Sequence, residues 1–165
     1  MRPEDKGVPA LAPPKYGSVR SLVIPPFLAS LHEKLLASHD SEWALPAMDG
    51  GPLLTTDFNT YYWRPVRDGS EERTGGYERP ELPAVDAFQK RRIHLVRHAH
   101  GPHLEEDGVP DIAIEERLGH VVQGVRGVYR KVTPKMERQI VSVLQARFEA
   151  DATARRGAGG AGARG

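Results

Sequence analysis

The sequence predicts an α+β fold, mainly α-helical with a small antiparallel β-hairpin near the N-terminus. Three observations predict it. Residues 18 to 24, Ser-Val-Arg-Ser-Leu-Val-Ile, are β-branched and apolar enough for a strand, and Pro13-Pro14 before them marks a turn from an earlier, shorter strand. Apolar residues beyond this point recur at helical rather than alternating spacing. The chain has 165 residues, 39% hydrophobic and 27% charged, which suits one globular domain with its own core and is too short for two.

In chain order, Pro25-Pro26 opens a helix in which Phe27, Leu28, Leu31, Leu35 and Leu36 repeat until Ser38-His39-Asp40, and this helix is expected to pack on the hairpin. Gly50-Gly51-Pro52 makes a turn. Thr56 or Asp57 then caps a second helix that carries Phe58, Tyr61, Tyr62 and Trp63 as core and ends near Pro65. Residues 67 to 86 lack periodicity and read as a long loop. A helix follows from about Leu95 to Glu106, halted by Asp107-Gly108, and Val109-Pro110 opens another that ends at Leu118-Gly119. Thr133-Pro134 starts a last helix with an apolar stripe of Met136, Ile140, Val143, Leu144 and Phe148. Residues 151 to 165 are rich in Ala, Gly and Arg, and are expected to form a disordered basic tail beyond a domain of residues 1 to 150.

Composition narrows the function classes. The absence of cysteine excludes disulfides, thiolate metal sites and cysteine nucleophiles. No apolar run approaches membrane-spanning length, and the first residues lack a secretory core, so a cytoplasmic protein with no membrane partner is expected. The net charge is only +1, but seven basic residues between Arg117 and Arg147 face the single acid Glu137. Such a local excess suits a polyanion such as DNA.

Three groups in the second half can carry chemistry. His94-x-x-Arg97 lies at the entrance of one helix, Leu118-Gly119-His120 forms the turn after the next, and Tyr129 follows nine residues after His120. A phosphate among them would meet donors from three directions, and preorganised donors stabilise the charge that builds on a pentavalent phosphorus. Three further histidines, His98, His100 and His103, stand without a carboxylate at matching spacing, so no metal site is expected there.

With these residues the chain resembles the tyrosine recombinases, the phage integrase type of site-specific recombinase. The resemblance covers most of residues 12 to 150. It is carried by His94-Leu95-Val96-Arg97-His98, Glu115-Glu116-Arg117-Leu118-Gly119-His120 and Gly127-Val128-Tyr129-Arg130-Lys131-Val132-Thr133, with weaker matches at Pro13-Pro14-Lys15 and Gly50-Gly51-Pro52-Leu53.

The resemblance implies DNA integration and recombination by cleavage and rejoining through a 3′-phosphotyrosyl bond, with no cofactor. Tyr129 would attack the scissile phosphate and Arg97 would clamp a non-bridging oxygen with its planar fork. His94 would assist proton transfer at the tyrosine, His120 would hydrogen-bond the phosphoryl oxygen, and Lys15 would protonate the departing 5′-oxygen. Arg126, Arg130 and Lys131 would hold the double-stranded attachment site. The helix after the tyrosine would dock on a neighbouring protomer in a tetramer on DNA.

The chain departs from the family in places. The family's other catalytic arginine, followed by Gly-Glu upstream of the lysine hairpin, has no counterpart, and neither does the N-terminal DNA-clamping domain. A partial catalytic domain is therefore expected, truncated in the gene or begun at a wrong start, and a remnant that binds DNA or partner protomers without cutting is the alternative. Leu95 replaces the usual aspartate, and Gly101-Pro102 should kink or delay its helix. A remote alternative comes from Ile93-His94-Leu95-Val96-Arg97-His98, which resembles the strand-then-Arg-His signature of histidine phosphatases, with His98 as nucleophile.

Overall fold

A proline with no N–H to waste and a φ already helical is a natural first residue of a helix, and it opens two helices among the described residues. Helix α1 is Pro26–Leu36, and the last helix begins at Pro134. The computed structural model describes residues 19 to 120 and 131 to 161, with side chains through 156. Lys15, Arg126, Tyr129 and Arg130 lie outside the described residues. The described elements are α1, α2 (Thr55–Asp57), a π-helical segment (Phe58–Trp63), α3 (Arg64–Asp68), a 3-10 turn (Asp86–Phe88), α4 (His94–Glu106), α5 (Asp111–Leu118) and α6 (Pro134–Ala161).

The expected hairpin is corrected. Among the described residues there is no strand, only isolated antiparallel bridges at Pro46 with Pro52, Ser70 with Leu82 and Arg73 with Arg79. Residues 19 to 25 are irregular. β-branched composition produces a strand only where a second strand takes up the alternating N–H and C=O groups. Here the Val23 carbonyl accepts instead from Arg117 Nη1 at 2.8 Å, and Val19 is 84% exposed, so the run does not lie on a sheet face. Within what is described, the fold is helical, not α+β.

The chain divides into two units. One includes Leu35–Val96, and the other includes Ser18–Lys34 together with everything from Arg97.

In the first unit, α2, the π segment and α3 run on without a break. The helix starts at Thr55 with no side-chain cap and passes through Pro65 to Asp68, beyond the end that the proline predicts. Pro65 is the second residue of α3, directly after the π segment. Trp63 is buried and donates from Nε1 to the Arg91 carbonyl at 3.1 Å. Tyr61 stacks on Tyr77 at 4.0 Å, and Tyr62 meets the same ring edge-on at 5.7 Å and is partly exposed. Of the aromatics expected in a core, Trp63 is buried and the tyrosines form a half-covered cluster.

In the second unit, Leu104 of α4, Val109, Ala113, Ile114 and Leu118 of α5 and Ile140 of α6 make the core, with Val132, Met136, Val143 and Leu144 packed against it. The predicted stripe of α6 thus finds its partner within the same chain. Gly101 is buried where α4 meets α5, a Cβ there standing 3.5 Å from Leu118 Cδ1, and α4 runs through Pro102 to Glu106 as one helix. Helix α1 packs on α6 and not on a hairpin: Phe27 stacks on Phe148 at 4.2 Å, and its N–H donates to Gln145 Oε1 at 3.0 Å. Helix α6 extends to Ala161, so the first part of the expected tail is helical. Thr133 caps it, its hydroxyl accepting from the Met136 N–H at 3.4 Å.

Candidate functional site

Two helices of the second unit end in the same way. At the end of α4, Gly108 takes φ +72°, its N–H donates to the Glu105 carbonyl at 2.9 Å, and the Val109 N–H donates to the Leu104 carbonyl at 3.0 Å. At the end of α5, Gly119 takes φ +68°, its N–H donates to Glu116 at 3.0 Å, and the His120 N–H donates to Glu115 at 3.0 Å. Both are Schellman caps, in which a left-handed glycine lets two backbone donors reach back to carbonyls the helix leaves over. Such caps usually bring an apolar residue after the glycine onto an apolar residue in the last turn. The first cap does this with Val109 and Leu104, both in the core. The second replaces the apolar pair with His120 Nδ1 and Glu115 Oε2, 2.7 Å apart and about half exposed. His120 is therefore held by geometry rather than by burial, and its Nε2 is left as the outer nitrogen of the ring.

Arginines gather on the same turn. Arg97 Nη2 donates to the Leu118 carbonyl, one of the last acceptors of α5. The Arg20 guanidinium lies against Gly119, in the space a Cβ would need. Cations at a helix C-terminus complement the partial negative charge of its carbonyls. The result is an imidazole and two guanidinium groups around one glycine turn, with Glu115 beside them. Arg20 has no motif around it in the sequence; only the fold brings it to Gly119.

Near this turn lies a half-buried polar contact. Arg117 Nε donates to His100 Nε2 at 2.9 Å. Burial first, and the Arg117 charge second, hold His100 below its ordinary value, and burial also lowers Arg117. A neutral His100 is what the bond requires, because Nε2 must keep its lone pair to accept.

The basic stretch that the sequence offers to DNA is narrower in the fold. Arg117 is spent on Val23 and His100, and Arg147 on Asp107, Glu106 and the His103 carbonyl. Lys131, Lys135 and Arg138 remain exposed.

His94 belongs to the first unit and Arg97 to the second, because the division falls within α4 after Val96. His94 lines a cleft of the first unit together with Arg64, Arg67 and Arg92. The histidine phosphatase alternative loses its premise here. That motif needs a strand leading into Arg-His, and from His94 onward the segment is helix α4. The chain matches no family model, no curated protein and no solved structure.

Proposed function

We propose that this chain acts on DNA as a tyrosine recombinase does, cutting and resealing a strand with Tyr129 as nucleophile. The observation that supports this reading is the glycine turn where His120 and Arg97 meet, with Arg20 beside it, since donors from separate elements at one point are what a phosphoryl group needs. In this reading the Tyr129 Oη forms a bond to phosphorus as the P–O5′ bond breaks. His94 takes up the phenolic proton, and Lys15 supplies the proton for the 5′-oxygen. The resulting phosphotyrosyl ester keeps the energy of the phosphodiester for rejoining, without ATP or metal.

A second reading, DNA retention without cleavage, is favoured by the engagement of Arg97 with Leu118 and of His120 with Glu115. Assembly into a tetramer through α6 belongs to the same proposal, as does a cytoplasmic location. No described helix is long and apolar enough to cross a membrane.

The test is a pool of nicked duplexes of randomised sequence, incubated with the full chain and resolved on a denaturing gel. A covalent protein–DNA band is expected, absent in Tyr129→Phe and reduced roughly 10²- to 10³-fold in Arg97→Lys. If the native chain retains duplexes but never traps one, the cleaving reading fails and the retention reading stands.

A further inference from the structure

The helix of the first unit places Thr56, Asn59, Thr60, Trp63, Arg64 and Arg67 along one face, at steps of three and one residues. That face forms one wall of a cleft of about 480 Å³, within the range of ligand sites, and seven of its nine lining residues carry polar or cationic side chains. Arg92, Ile93 and His94 form the other wall, which Trp63 and Arg67 hold in place. Trp63 Nε1 and Arg67 Nη1 both donate to the Arg91 carbonyl, at 3.1 Å and 3.0 Å, and so fix the residues that follow, Arg92, Ile93 and His94.

The charges in the cleft are unequal in their availability. Arg67 is paired with Asp68 and holds that carboxyl below its ordinary range. Arg64 feels the same carboxylate at longer reach. Neither the Arg64 nor the Arg92 guanidinium donates a hydrogen bond to a described residue, and both residues are exposed. No carboxylate is among the described residues that line the cleft. Two guanidinium forks on opposite walls, with hydroxyl and amide groups between them, match an oxyanion with several acceptors and repel a cation.

We infer that this cleft is a phosphate-binding site, with Arg64 and Arg92 clamping the anion and neutral donors from the Thr60 hydroxyl and the second hydrogen of the Asn59 amide, whose first goes to the Thr55 carbonyl at 2.8 Å. Its occupant is a backbone phosphate of duplex DNA. The choice of DNA as the source rests on the function proposed above, whereas the phosphate chemistry rests on the cleft alone.

The test compares the full chain with an Arg64→Gln, Arg92→Gln double variant. Fluorescence anisotropy with a labelled duplex is read between about 50 mM and about 200 mM salt, and inorganic phosphate is titrated against amide NMR signals. For duplex DNA, the variant should bind more weakly, with the slope of log affinity against log salt lowered by about 1 for each arginine removed. An Arg64→Lys, Arg92→Lys variant should keep most of that slope, which separates charge from any loss of fold. Phosphate-induced shifts around Asn59 and Thr60 in the native chain alone would support the cleft even where duplex binding fails. An unchanged salt slope together with phosphate shifts that survive in the glutamine variant would overturn it. Trapping of DNA by Tyr129 is a separate readout, so loss of the covalent band with retained phosphate binding strikes only the recombinase reading.

Discussion

Replacing Gly119 with alanine tests how the α5 turn is held. The residue sits at φ +68° and ψ 33°, in the left-handed region, where an L side chain costs roughly 1 to 2 kcal/mol. A Cβ would also occupy the space of the Arg20 guanidinium, but that group is the tip of a flexible side chain and can move. The conformational cost should therefore dominate, giving a loss of about 1 to 2 kcal/mol, or a fall in Tm of roughly 2 to 8 °C for a chain of this size. Gly119→Asn separates the two effects, because asparagine tolerates the left-handed conformation yet still displaces Arg20. It should cost about half as much as alanine or less. The cycle is completed by repeating Gly119→Ala in an Arg20→Ala background, where only the conformational cost remains. Thermal melts followed by circular dichroism read all four variants. Equal losses for alanine and asparagine would refute the argument, since Cβ contact rather than backbone conformation would then set the cost.

The core and the half-buried His100 give further expectations. Leu104 is fully buried at the centre of its unit, so Leu104→Ala should cost about 2 to 5 kcal/mol in urea unfolding, and a loss below about 1 kcal/mol would mean that the site collapses or is not core. His100 has a folded value lowered below the ordinary 6.5, so in the window just beneath 6.5 the unfolded chain binds the additional proton. The contribution of His100 is complete above 6.5 and declines as pH falls toward its folded value. Urea midpoints on either side of 6.5 should show that decline, and His100→Gln, which keeps an acceptor for Arg117 but cannot titrate, should flatten it.

The helices were legible where punctuation and period agreed. Pro26 and Pro134 open α1 and α6, Gly108 and Gly119 close α4 and α5, and the stripe from Met136 to Leu144 finds the core. The strand failed because apolar β-branched residues describe a preference of the single chain, whereas a strand is a property of a pair. Pro65 misled for the opposite reason: a proline predicts an end, but here the helix runs on from the π-helical stretch through Pro65 to Asp68. Of the proposed site, Arg97 and His120, both singled out by their motifs, lie at the α5 turn. Arg20 was invisible because its role depends on a contact across the chain, as was the cleft, whose walls are joined by bonds between residues far apart in sequence, among them the two to the Arg91 carbonyl.

The stack of Phe27 on Phe148 bears on how the protein is made. The second unit is assembled from two stretches of chain, and Leu35–Val96 belongs to the other unit between them. During synthesis, α1 leaves the ribosome with one aromatic ring waiting for a partner encoded more than a hundred residues later. Domains generally fold as units as they emerge, so the intervening unit can close first while the flanking one stays open until α6 is released. A chain stopped short of Phe148 would present an uncovered Phe27 to chaperones and proteases, and quality control could read that ring as the mark of an unfinished molecule.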